Sequence, residues 1–163
     1  YWILNLLSSL NIKATFFCVG KTSERYPEII DRIINEGHKI GNHTYSHLNG
    51  CYHKVESYIS DIERCRKVLS ETNLFRPPYG KIYTWQIRKI QEKYKIIMWD
   101  ILSYDFERNI NSSKLKSNVL NNVKSGSIIV FHDNKNSEKI LKENLKDILL
   151  KLQEKGFVFG LIS

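Results

Sequence analysis

Short β-type runs and amphipathic helical stretches alternate along nearly the whole chain, and that alternation limits the possible folds more than any single residue does. "KATFFCVG" is an apolar run that stops at Gly20. "YPEIIDRIINEG" follows, with Pro27 in its first turn, apolar residues at 29, 30, 33 and 34, and Gly37 past its end, which together mark a helix. "HKIGNH" reads as a brief strand and "VESYISDIERCRKVLSET" as a longer amphipathic helix. "FRPPYG" must be extended or turned, because each proline disfavours helix in the residue before it. The alternation resumes with "YTWQIRKIQEKY" as helix and "KIIMW" as strand. "SSKLKSNVLNNVKSG" is predicted as a helix with Ser112 as its cap and Gly126 as its stop. "SIIVF", "SEKILKENLKDILLKLQEKG" and "FVFGLI" complete the pattern as strand, helix and strand. Repeated units of this kind imply right-handed crossovers and a mainly parallel sheet covered by helices, either doubly wound or a barrel. No linker or composition break interrupts residues 1–163, so a single domain is expected.

The opening stretch "YWILNLLSSLNIKA" reads as the middle of an amphipathic helix, with Ile3, Leu4, Leu6, Leu7 and Leu10 along one side. It lacks the basic start and cleavage site of a secretory signal, and no run is long and apolar enough for a transmembrane segment. A chain that begins inside a helix is expected to have lost upstream residues. The 25 Lys and Arg against 17 Asp and Glu give a net charge of +8. That is either a solvated lysine-rich surface or an attraction to a polyanion such as an acidic cell-wall polymer. No basic run with interleaved aromatics and no DNA-binding signature is present, so no nucleic-acid partner is expected. Cys18, Cys51 and Cys65 have no paired spacing, and an odd count argues against a disulfide framework. Cys18 is expected to be buried and inert, and Cys51 is at most a stray metal ligand.

The residues suited to chemistry sit where the strands end, which is where parallel α/β folds build their sites. His43 and His47 lie four apart in "NHTYSH", a spacing that aims two imidazoles at one point and suits zinc and related ions. His38 and His53 are nearby but read as surface or turn residues. In "RPPYG" the prolines stiffen the backbone around Arg76 and Tyr79. A rigid arginine can clamp a carboxylate, and the Tyr79 N–H could face a reacting oxygen; a surface ion pair is the plainer alternative. "MWDILSYDFE" sets Asp100 and Asp105 after a strand among Trp99, Tyr104 and Phe106, where carboxylates can orient a histidine, bind metal or cap loops. "IIVFHD" ends an apolar strand with His132 and Asp133, a placement that suits a general acid or base and equally a structural hydrogen bonder.

Taken in order, "NHTYSH", "RPPYG", "MWDILSYDF" and "IIVFHD" resemble the polysaccharide deacetylases, the NodB-homology group called carbohydrate esterase family 4. His43, Thr44 and His47 meet the family's His-(Ser/Thr)-x-x-His motif, and Arg76, Pro78 and Tyr79 its Arg-x-Pro-Tyr motif. Asp105 and Phe106 stand in the place of an Asp-Trp pair, and Val130, Phe131 and His132 in that of Leu-x-His. The resemblance implies a distorted (β/α) barrel of about seven strands, with the first strand missing here. It implies metal-assisted hydrolysis of N-acetyl groups on N-acetylhexosamine units of a polysaccharide or oligosaccharide. By resemblance His43 and His47 hold a divalent metal, Zn2+ foremost, with Co2+, Ni2+ or Mn2+ as alternatives. The Tyr79 N–H would help hold the oxyanion, and His132 would act as general acid with Asp105 orienting it. Val130 would line the acetyl pocket, with Phe106 and Trp99 on the substrate side, and Arg76 would clamp the catalytic base.

The family's first motif, Thr-Phe-Asp-Asp-Gly, has no counterpart in these residues. One of its aspartates is the base and the other the third metal ligand. The implied expectation is a deacetylase whose present segment is inactive or nearly so. The alternative is a non-catalytic carbohydrate-binding relative without the acidic pair, and a barrel hydrolase acting on cyclic amides ranks below both. Family habit favours the bacterial envelope, while three unpaired cysteines would also suit a reducing cytoplasmic interior.

Overall fold

A computed structural model describes residues 1–69 and 72–162, and every strand ladder in it is parallel. The chain divides into two compact units, one of Tyr1–Met98 joined by the residues from Gly160 onward, the other of Trp99–Phe159.

In the first unit β1 (Thr15–Cys18), β2 (Lys39–Asn42), β3 (Leu74–Phe75) and β4 (Lys95–Ile96) form one sheet in that order. Parallel neighbours require a crossover, and helices supply each one. The connections are α2 (Gly20–Arg25) with α3 (Pro27–Asn35), then α4 (Val55–Leu69), then α5 (Thr84–Gln91), while α1 (Trp2–Ser9) precedes the sheet. α3 forms as its sequence dictates: Pro27 needs no partner for a missing N–H at the first turn, Glu28 faces the positive helix end, and Ile30 and Ile33 are buried. Gly37 then leaves the helix with φ of 76°, a conformation that costs glycine little. α1 buries Leu4 and Leu7, and Leu4 joins the apolar cluster of Ile30 and Ile33. α2 was not expected, because "GKTSER" has no apolar period; it packs on α4 through its buried Gly20.

The second unit pairs β5 (Ile101–Leu102) with β6 (Ile129–Val130) across α6 (Ser112–Leu120), followed by α7 (Lys135–Glu154). α7 buries Leu141, Leu145, Ile148, Leu149 and Leu152, an apolar stripe at helical spacing.

The expected α/β chain with parallel strands is therefore present, hydrogen-bonded among the described residues as two sheets of four and two strands. Several boundaries differ from expectation for local reasons. The cap of α6 is Asn111, whose Oδ1 accepts from Lys114 N at 2.8 Å, so Ser112 is already helical. The helix ends at Leu120, well before Gly126. Asn134 caps α7 by accepting from Asn136 and Ser137 N–H. "KIIMW" contributes only Lys95 and Ile96 to a ladder, and "FVFGLI" contributes none among the described residues. The Ile162 N–H instead donates to Thr15 Oγ1, and its carbonyl accepts from Lys39 Nζ. The helix expected through Thr72 is seen to Leu69, and residues 70 and 71 lie outside those described.

His38 is buried, at 7% exposure, rather than a surface residue. Its Nδ1 accepts from Ala14 N–H at 3.1 Å, and its ring meets Phe16 edge-on. His53 does sit in an exposed turn, its Nδ1 against Asn49 O. Cys18 is half-buried, and the fully buried cysteine is Cys65, whose thiol burial pushes up to about 12.

Two expected outcomes follow from this packing. Burial, reinforced by the Lys13 charge, holds His38 below its ordinary value of 6.5. The unfolded chain then binds the proton more readily, so stability present above 6.5 is lost as pH falls below it. Urea midpoints should decline from pH 7 to 5, and His38→Asn, whose Oδ1 can still accept from Ala14 N–H, should flatten that slope. Gly41 is the second case: a Cβ there would collide with the Phe17 ring. Gly41→Ala should cost about 1–3 kcal/mol in urea unfolding through the forced shift of that ring.

Candidate active site

Asn42, fully buried at the end of β2, organises the histidine loop from its base. Its Nδ2 donates to Ile62 O, its Oδ1 accepts from Thr44 N–H, and its carbonyl accepts from Arg76 N–H. Beyond it Thr44 and His47 both take left-handed backbone, with φ of 63° and 57°. That region is unfavourable for a β-branched threonine, by about 1–3 kcal/mol, and persists only where surroundings impose it. Here Thr44 Oγ1 accepts from Leu48 N–H at 3.0 Å. The Asp61 carboxylate of α4 accepts from Tyr45 N–H, Ser46 N–H and Ser46 Oγ, each at 2.9 Å. The two reversals turn the side chains of His43 and His47 toward each other, with ring centroids 5.0 Å apart and planes at 70°.

Arg76 follows β3 and is buried. Its carbonyl lies 2.7 Å from His43 Nδ1. A carbonyl can only accept, so Nδ1 carries the proton and Nε2 the lone pair that a metal would need. The guanidinium donates from Nε to Ile97 O and from Nη2 to Met98 O, and its carbon sits 4.0 Å from the centre of the Phe17 ring. Burial lowers its pKa to about 10, which leaves it charged at neutral pH. Tyr79 has φ of 61°, and its exposed ring meets His47 edge-on at 4.8 Å. The turn's own bonds run from Gly80 N–H to Pro77 O and from Lys81 N–H to Pro78 O.

The second unit builds its constellation around Asp105, which has no exposed surface. Oδ1 accepts from Ser103 Oγ at 2.9 Å and His132 Nδ1 at 2.7 Å, and Oδ2 accepts from His132 N–H at 2.7 Å. With Nδ1–H given to the carboxylate, His132 presents Nε2 as the nitrogen that exchanges protons. Ser103 is itself fixed: its N–H donates to Val130 O, and its carbonyl accepts from Asn118 Nδ2. Phe106, exposed, meets the His132 ring edge-on at 4.8 Å, and Tyr104 has φ of 61°. Val130 is buried in β6, and Trp99 is half-buried. Asp100 Oδ2 accepts from Ile128 N–H, a strand-tying role.

The first unit thus brings His43, His47, Arg76 and Tyr79 together, and the second brings Asp105, Phe106 and His132 together. Two imidazoles, one with its tautomer set by a carbonyl, fit two positions of a zinc-type coordination sphere. Among the described residues no group of three His, Cys, Asp or Glu side chains is placed to hold a metal ion. Sequence reasoning missed Asn42, Asp61, Phe17, Gly41, Ser103 and Asn118. Only Ser103, two residues before Asp105, carries a local signal, since Ser-x-Asp often forms a small side-chain turn.

Asp105→Ala should leave the partly buried His132 N–H and the buried Ser103 hydroxyl without this acceptor. The expected cost is about 1–3 kcal/mol in denaturant unfolding. Loss of the Asp105 bond to His132 Nδ1–H should also show as a change of its proton signal by NMR.

Comparison with known proteins adds to these geometries. The family model described as polysaccharide deacetylase matches residues 2–99. A peptidoglycan-N-acetylglucosamine deacetylase of Bacillus cereus is 36% identical over 136 residues, covering 80% of this chain and 49% of that protein. The chain therefore spans about half the length of that curated relative. A second protein of the same name and organism is 32% identical over 167 residues, covering 99% of this chain and 78% of its own length. The crystal structure of a peptidoglycan N-acetylglucosamine deacetylase bound to a naphthalenyl N-hydroxybenzamide superposes with a TM-score of 0.93 at 33% identity, covering 98% of this chain and 78% of that one. Proteins so named are hydrolases of amide bonds. With the family pattern running through residues 2–99 and a relative 32% identical along 99% of its length, this chain belongs to the polysaccharide deacetylase family.

Proposed function

We propose that the chain carries the metal-binding and proton-donating groups of a polysaccharide N-deacetylase, which removes acetate from N-acetylhexosamine units. Relatives named for peptidoglycan N-acetylglucosamine support that glycan as the substrate of this reading. The observation that carries the reading is the pair of contrasting imidazole settings. His43 has its Nδ1 on a neutral carbonyl, which suits a metal ligand, and His132 has its Nδ1 on a buried carboxylate, which suits a group that must become charged.

His43 and His47 would hold the divalent ion, Zn2+ in preference to Co2+, Ni2+ or Mn2+. When bound, such an ion polarises an amide carbonyl and activates water. The Tyr79 N–H would donate to the developing oxyanion. His132 Nε2–H would give its proton to the amine nitrogen as the C–N bond breaks, and Asp105 would stabilise the imidazolium before that transfer. Val130 would bound the acetyl methyl, and Phe106 and Trp99 would contact the sugar. Arg76, held by two carbonyls and the Phe17 ring, would be the fixed cation of the first constellation.

These residues include no Asp-Asp-Gly sequence. A missing general base typically costs ~10²–10⁴-fold in rate, so this segment by itself should turn over little. The second reading, a glycan-binding relative without catalysis, is favoured by the lack of a three-residue metal group among the described residues.

Equilibrium dialysis against zinc, paired with mass spectrometry of an N-acetylglucosamine oligomer, tests the proposal. The expected result is one zinc per chain, lost in His43→Ala and His47→Ala, with trace acetate release lowered further in His132→Ala. Oligomer binding with neither zinc nor any acetate release would establish the second reading. Vigorous release would show that one of the chain's own carboxylates serves as base.

A further inference from the structure

In the first unit the segments that follow β2 and β3, as far as the start of α5, expose a set of aromatic rings, Tyr52, Tyr79, Tyr83 and Trp85. Tyr79 lies against His47. Tyr83 and Trp85 do something different: at the start of α5 they stack face to face, with centroids 4.3 Å apart and planes at 15°, and both are exposed, at 41% and 55%. The start of the helix does not need them. Buried Gln86 closes it, accepting from Tyr83 N–H through Oε1, while the Gln86 N–H donates to the Tyr83 carbonyl. None of these bonds uses an aromatic ring. Gln86 also donates from Nε2 to Gly50 O at 2.9 Å, which ties the pair to the loop that carries His47. Tyr83 follows Tyr79 by four residues, so at most about 14 Å of chain separates the pair from the ring beside His47.

We propose that the Tyr83–Trp85 pair is a pyranose-stacking subsite. It would hold a second sugar of the same N-acetylhexosamine chain whose acetylated unit is presented to His43 and His47. The inference rests on the glycan reading above. A pyranose ring has one face of C–H groups and a rim of hydroxyls. The outer face of the stacked pair matches that C–H face, and the Tyr83 phenol and Trp85 indole N–H can serve the hydroxyl rim. Two rings flanked by exposed Lys81, Thr84 and Arg88 are too small and too polar in setting for a protein partner, which needs about 800 Å² per side. Anchoring by a buried glutamine fixes the platform before binding, which lowers the entropic cost of stacking.

Calorimetric titration of this chain with the dimer and hexamer of N-acetylglucosamine, and with a glucose hexamer of the same linkage, tests the subsite. The Trp85 indole N–H is followed by NMR in the same titrations. The N-acetylglucosamine hexamer should bind more tightly than the dimer and should shift the Trp85 indole signal. Tyr83→Ala and Trp85→Ala should weaken the hexamer roughly tenfold and leave the dimer unchanged, while Trp85→Phe retains most of the affinity. Equal hexamer affinity in the alanine variants, or no hexamer binding at all, would overturn the proposal. If the glucose hexamer binds and shifts Trp85 just as well as the acetylated one, the stacking subsite stands and the N-acetyl reading fails.

Discussion

Arg76 is the residue on which the first constellation depends. Its amide donates to the end of β2, its carbonyl sets the tautomer of His43, and its guanidinium is pinned by the carbonyls of Ile97 and Met98. A buried cation is tolerable only where hydrogen bonds and polarisable surface replace lost water. The Phe17 ring beneath it supplies a cation–π contact of about 0.5–2 kcal/mol. Phe17 can lie there only because its neighbour across the sheet, Gly41, has no side chain. One arginine therefore couples three strands to the orientation of an imidazole.

The second unit reaches a similar end with the opposite electrostatic choice. His132 is also held at Nδ1, but by the carboxylate of Asp105, which also accepts from Ser103 Oγ and the His132 N–H. Each partner accepts from Nδ1–H and so fixes tautomer and orientation, one as a neutral carbonyl and the other as a carboxylate. The two imidazoles thus differ in the atom opposite Nδ1. Both come from residues that end strands, where backbone direction is fixed and the following loop is free to turn.

Much of the fold was legible because burial imposes periodicity. Ile30 and Ile33 of α3, or Leu141, Leu145 and Ile148 of α7, must face a core, and their spacing announces a helix. The failures lie where no period exists. α2 is six residues long and held by packing rather than by pattern, and its Gly20 gave only a stop signal. The strand expected at "FVFGLI" has a strand's composition, but its end is satisfied by Thr15 and Lys39 side chains instead of a ladder. Composition measures the tendency to pair; whether a partner edge is presented is a tertiary matter.

The site divides along a similar line. His43, His47, Arg76, Asp105 and His132 could be singled out as candidates because few side chains can bind metal or move protons, and the structure gives each of them defined partners. Their supports could not, because support is chemically generic. The Asp61 carboxylate could reach the Tyr45 and Ser46 amides from many positions in a chain, and a backbone carbonyl such as that of Arg76 has no sequence signature at all. His38 shows the same limit from the other side: a histidine without a motif read as a surface residue, while its burial was decided by Ala14 N–H and Phe16, neither of which announces the need for it. Sequence therefore singles out candidate side chains, and the fold identifies what holds them. In this chain the holding groups include Thr44 with its left-handed backbone and Gly41, whose lack of a side chain leaves room for the Phe17 ring, so a substitution that leaves every motif intact can still move the imidazoles.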